Sequence, residues 1–77
     1  MSSNSPKYFV QSLKGRTVIV RLNNGSDYKG ILACLDERMN VTLEQTEEYF
    51  DGELIEKYND AFIRGNNVFY IRAIDDE

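Results

Sequence analysis

Five consecutive residues, Asp36-Glu37-Arg38-Met39-Asn40, sit between two apolar, strand-like runs, and Ile63-Arg64-Gly65-Asn66-Asn67-Val68 repeats that arrangement further along the chain. Both segments are polar loops placed where a strand turns, and their residue types suit the reading of a nucleobase. Single-stranded RNA is held with its bases splayed out, stacked on aromatic or guanidinium planes and hydrogen-bonded along their edges. Arg38 and Arg64 are two planar cations able to sandwich a base. The Asn40 amide offers a donor and an acceptor that complement the imide edge of uracil. Asp36 can accept hydrogen bonds from nearby backbone and amide groups, which would fix the loop and the orientation of Asn40. The competing reading is ordinary turn chemistry for Asp36 and Asn40, and a surface salt bridge to nearby acids for Arg64. On these residues alone, RNA binding and a generic peptide-binding or scaffold barrel stand level.

Catalysis is poorly supported. Histidine is absent, so acid–base work near neutral pH would fall to carboxylates alone. Glu47 and Glu48 are adjacent and, on a strand, point to opposite faces. Asp51, Glu53, Glu56 and Asp60 read as a solvated acidic surface, and neither a phosphate-binding glycine loop nor a nucleophile elbow occurs. With one cysteine and no histidine, an internal disulfide and a His/Cys metal cluster are both excluded, and no cofactor is implied. Cys34, within Ile31-Leu32-Ala33-Cys34-Leu35, is expected to be a buried, inert thiol.

The 77 residues fit one small domain. A chain of this size buries only about 60% of its unfolded surface, so without disulfide or metal, oligomerisation is the remaining source of added stability. The N-terminal Met1-Ser2-Ser3-Asn4-Ser5-Pro6 lacks the regions of a signal peptide, and no apolar stretch is long enough to span a bilayer. A cytosolic or nuclear protein without a membrane partner is expected. The net charge of −4 argues against a general nucleic-acid coat. It is unevenly spread, however. Residues 1–43 hold six basic and three acidic groups, whereas residues 44–60 hold one basic and seven acidic. Each candidate loop keeps an arginine.

The elements that must position these loops follow from periodicity. Ser5 to Gly15 reads as a short helix, capped by Ser5, with Pro6 in its first turn and Phe9, Val10 and Leu13 on an apolar face. Thr17–Leu22 alternates as a strand with Val18, Val20 and Leu22 inward. Asn23-Asn24-Gly25 is a hairpin signal, because Asn and Gly tolerate positive φ. A second strand is expected over Asp27–Leu35, with Gly30 permitting a sharp bend. A third runs from Met39 to Tyr49-Phe50 and turns at Asp51-Gly52; a fourth covers Leu54–Ile63 and a fifth Val68–Arg72. The result is a helix followed by an antiparallel meander curled into a small barrel, with Asp75-Asp76-Glu77 as a disordered acidic tail.

Val18, Val20, Leu22, Gly25, Tyr28, Gly30, Leu32, Asp36, Met39, Asn40 and Leu43 stand in the order and at the spacing of the first motif of the Sm/Sm-like (LSm) family. Ile63-Arg64-Gly65, followed by Val68, resembles its second motif. The runs Leu43–Tyr49 and Asp60–Val68 are similar to one eukaryotic paralogue group within it. The resemblance implies an all-β, SH3-like Sm fold, an N-terminal α-helix on a five-stranded, strongly bent antiparallel sheet. It implies a single domain over residues 1–77, with the helix over 6–14, strands within 16–72 and an acidic tail at 73–77. It also implies other LSm proteins as partners in a seven-membered hetero-oligomeric ring, joined by pairing the fourth strand of one subunit with the fifth of the next. The expected ligand is single-stranded uridine-rich RNA, with the 3′ end of U6 snRNA bound in splicing. A cytoplasmic ring would act with decay factors in mRNA decapping and decay, placing the protein in nucleus and cytoplasm. Asp36, Arg38, Asn40, Arg64 and Gly65 inherit the RNA-binding roles. Arg38 departs from the family, which has an aromatic residue or sometimes histidine there. The alternatives are a mainly structural ring subunit with little RNA contact of its own, or a protein-binding barrel.

Overall fold

A computed structural model describes residues 12–74. Five strands follow one another, β1 (Thr17–Leu22), β2 (Ser26–Leu35), β3 (Val41–Phe50), β4 (Glu53–Ile63) and β5 (Val68–Ala73), with a 3-10 turn at Gly65–Asn67. The helix expected over residues 6–14 falls largely outside the described residues, as does the tail at 75–77; Ser12 and Leu13 have helical backbone and lead into β1. The strands form one antiparallel sheet in the order β4-β3-β2-β1-β5, leaving β4 and β5 as its two edges.

β2, β3 and β4 have ten or eleven residues against six in β1 and β5, and the three long strands are bulged. Lys29 faces Glu47 and Ile31 faces Glu44, so Gln45 and Thr46 together oppose Gly30. An extra residue in one strand bends it and raises its twist, and Gln45 takes up the distortion at φ 52°. Gly30 answers a demand for space. A Cβ there would lie 2.9 Å from the Glu44 carbonyl oxygen and 3.2 Å from both Leu43 Cβ and Thr46 Oγ1. The bent sheet wraps a core of Leu13, Val18, Val20, Leu32, Leu35, Val41, Leu43 and Ile63, with Met39, Val68 and Ile71 packed against it.

Two expectations need correction. Cys34 is exposed. Leu32 pairs with Leu43 and Cys34 with Thr42, leaving Ala33 as an extra residue in β2. That bulge breaks the alternation, so Leu32 and Leu35 are buried while Cys34 turns outward. Met39, expected to open the third strand, instead sits in the loop before it at φ 66°.

Gly30→Val forces the added carbons against the Glu44 carbonyl, a backbone atom that cannot rotate away. Overpacking of this kind costs about 1–3 kcal/mol. Urea unfolding should show that loss, and a variant as stable as the parent would mean the bend does not need the glycine.

Candidate nucleic-acid interface

The β2–β3 loop and the β4–β5 loop lie side by side because the strands flanking them are paired there. Val41, the first residue of β3, faces Ile63, the last of β4. Five residues of these loops, Arg38, Asn40, Arg64, Gly65 and Asn66, line an open cleft of about 350 Å³. That is at the small end of the ~300–1,000 Å³ usual for ligand sites.

Asp36 organises the first loop. Its Oδ1 accepts the backbone N–H groups of Arg38 (2.8 Å) and Asn40 (3.0 Å), and its Oδ2 accepts the side-chain amide of Asn40 at 2.9 Å. The Met39 N–H donates to the Asp36 carbonyl at 3.0 Å and the Asp36 N–H to the Asn40 carbonyl at 3.2 Å, closing a tight turn. Asn40 then reaches the second loop, where its Oδ1 accepts the Gly65 N–H at 2.6 Å. Gly65 must be glycine for a spatial reason, since a Cβ would overlap the carbonyl of Arg38.

Four of the five expected site residues therefore meet in the cleft. Asp36 is not among the lining residues; it braces Asn40 from behind. Asn66 lines the cleft and was not expected to. Its only sequence signal was membership of the Arg64–Asn67 loop. Arg38 and Arg64 are both exposed, and among the described residues neither forms a salt bridge; the ion pairs there are Arg21–Asp27 and Lys57–Glu47. Two guanidinium planes thus line the cleft with no ion pair among the described residues.

The Asn40 side-chain bond and then its backbone N–H hold the Asp36 carboxyl below the usual carboxylate range, outweighing desolvation, with lesser help from the Arg38 N–H and charge. A depressed folded-state pKa supplies stabilisation that is complete above the unfolded value of about 3.9 and is lost as pH falls through the folded value. The Asn40 side-chain amide resonances should thus stay constant from neutral pH to about 4 and move only below it. An NMR titration with its midpoint at or above the ordinary carboxylate value would contradict this account.

Comparison with known proteins identifies the family. The LSM domain model matches residues 8–73. The chain is 55% identical to the LSM complex subunit lsm6 of Schizosaccharomyces pombe, over 95% of this chain and 97% of that protein. It is 53% identical to the U6 snRNA-associated Sm-like protein LSm6 of Laccaria bicolor, over 95% and 74%. The paralogue group that Leu43–Tyr49 and Asp60–Val68 resembled is this LSm6 group. Among solved structures, the Pyrococcus abyssi Sm protein in complex with a uridine heptamer aligns at TM-score 0.84 and 32% identity, covering 90% of this chain and 97% of that one. The P. aerophilum SmAP1 heptamer aligns at TM-score 0.84 and 30% identity, covering 94% and 96%. The fold is the Sm fold, and the chain belongs to the LSm family.

Proposed function

We propose that this chain is an RNA-binding subunit of a heteromeric LSm ring that holds single-stranded uridine-rich RNA, the 3′ end of U6 snRNA in particular, during pre-mRNA splicing in the nucleus. In a second, cytoplasmic ring it takes part with decay factors in mRNA decapping and decay. The chain is a single Sm domain, and it binds rather than catalyses. Similarity to LSm6 proteins and to an Sm protein bound to uridine RNA supports this reading.

The observation that carries it is the state of the Asn40 amide. Asp36, ionised, can only accept, so it takes one N–H of Nδ2; the Gly65 N–H can only donate, so it takes one lone pair of Oδ1. The amide cannot flip. One donor and one acceptor remain, in a set orientation. The uracil edge offers an N3–H to Oδ1 and a carbonyl to Nδ2. Cytosine placed the same way would set its N3 lone pair against Oδ1 and lose that hydrogen bond. Arg38 and Arg64 supply the stacking planes, and Gly65 lets the loops approach.

The sheet edges support assembly. Phe62 on β4 and Phe69 on β5 are 67% and 69% exposed, on strands whose outer hydrogen-bonding groups have no partner within the described sheet. Joining β4 to the β5 of a neighbouring LSm protein covers both.

Asn40→Ala should cost the assembled ring about 1–3 kcal/mol at one uracil. Fluorescence anisotropy on uridine and cytidine tracts reads this out, and unchanged discrimination between them would refute base reading by this subunit. Arg38→Tyr should retain or strengthen oligouridine binding, since a ring of fixed plane stacks at lower entropic cost than a guanidinium on a flexible stem. A large loss of affinity would show that the charge of Arg38, not its plane, is what matters.

A further inference from the structure

The Asn23-Asn24-Gly25 turn joins β1 to β2, and its three residues do three different things. Gly25 alone adopts positive φ, at 96°, and its N–H donates to the Leu22 carbonyl at 3.0 Å. Asn24 braces the turn, its Oδ1 accepting the Ser26 N–H at 2.9 Å. Asn23 does neither. Its backbone N–H donates to the Asn67 carbonyl at 2.9 Å, and its Nδ2 donates to the Asn66 carbonyl at 3.1 Å.

Those two carbonyls are the ones the second loop cannot satisfy by itself. In the 3-10 turn at Gly65–Asn67, the Asn67 N–H takes the Arg64 carbonyl and the Val68 N–H takes the Gly65 carbonyl. The carbonyls of Asn66 and Asn67 come next, and the last carbonyls of a helical turn have no internal donor. Asn23 supplies a donor to each. The loop is therefore held at both ends by an asparagine. Asn40 grips the Gly65 N–H from one side and Asn23 grips residues 66 and 67 from the other.

We infer that Asn23 is a positioning residue for the second loop, holding Arg64, Gly65 and Asn66 where they complete the cleft. Removing its side chain leaves the Asn23 N–H to Asn67 bond and the β1–β5 ladder intact, so the sheet keeps its strength while the loop loses its lateral restraint. Its binding readout rests on reading the cleft as an RNA pocket; its structural readout does not.

The test uses the assembled ring carrying Asn23→Ala, Asn23→Gln or Asn40→Ala in this subunit, with three measurements: hydrogen exchange of residues 64–67, affinity for a fluorescein-labelled oligouridine, and melting midpoint. Asn23→Ala should speed exchange in 64–67 and weaken binding about three- to tenfold, the effect of one net hydrogen bond, with the midpoint unchanged. Asn23→Gln, which keeps an amide donor on a longer arm, should recover part of both losses. Unchanged exchange at 64–67 in Asn23→Ala overturns the inference. So does a lowered midpoint with faster exchange spread along β1 and β5, which marks a simple sheet staple. Faster exchange confined to 64–67, with oligouridine binding unaltered in both Asn23→Ala and Asn40→Ala, leaves Asn23 as the loop's anchor and overturns the pocket reading instead.

Discussion

The hydrogen bond from the Gly65 N–H to Asn40 Oδ1, 2.6 Å long, is the contact on which the cleft between the two loops depends. A neutral hydrogen bond contributes only about 0.5–1.5 kcal/mol net, so its importance lies in direction rather than strength. It ties together two loops from different strand pairs. It also decides which end of the Asn40 amide is oxygen, because Asp36 holds the nitrogen end from the opposite side. Two constraints let it form. Gly65 offers no Cβ to collide with the Arg38 carbonyl, and Asp36 gathers three donors from the first loop so that Asn40 arrives already oriented.

That contact is possible only because the long strands are bent. A flat ten-residue strand would carry the loops at its ends away from the core. The bulge of Gln45 and Thr46 opposite Gly30 folds β2 and β3 over Leu32 and Leu43 instead. Both loops then leave the sheet at one point, the Val41–Ile63 pair, where both residues are buried. Packing thus sets the height of the loops, and the hydrogen bonds set their mutual orientation. Arg38 and Arg64, by contrast, are exposed and unrestrained by ion pairs among the described residues, which would suit the stacking role proposed for them.

Much of this was legible in the sequence. Alternation in Thr17–Leu22 gave that strand to the residue, the turns at Gly25 and Gly52 fell where expected, and Asp36 with Asn40 announced a hydrogen-bonded loop. What escaped was set by pairing between strands rather than by any one of them. Nothing in Ile31–Leu35 reveals that Ala33 is a bulge, because β3 must be in register before it can be called extra, and so Cys34 was assigned to the wrong face. Asn23 looked like turn chemistry for the same reason: its partners, the carbonyls of Asn66 and Asn67, lie more than forty residues away. The bond between Asp36 and Asn40 was readable because it is carried by the side-chain types themselves. The family motif added what periodicity could not, namely that two distant loops form one site.

A cleft this small fixes the scale at which the protein can act. It offers one amide edge and two cationic planes, enough for a single nucleotide, and one nucleotide held by a few hydrogen bonds and a stack does not confer useful affinity or read a tract. The same chain leaves two sheet edges open, each with a large exposed phenylalanine, a cost in solubility that a monomer gains nothing from. The two facts have one resolution. In the proposed ring, pairing β4 with a neighbour's β5 would cover the exposed edges and set this cleft beside those of other LSm proteins. In that proposed ring each further nucleotide would bind at the high effective concentration set by its covalent link to the last. The marginal stability expected of a domain this small and the weakness of one such cleft would be met by the same proposed assembly.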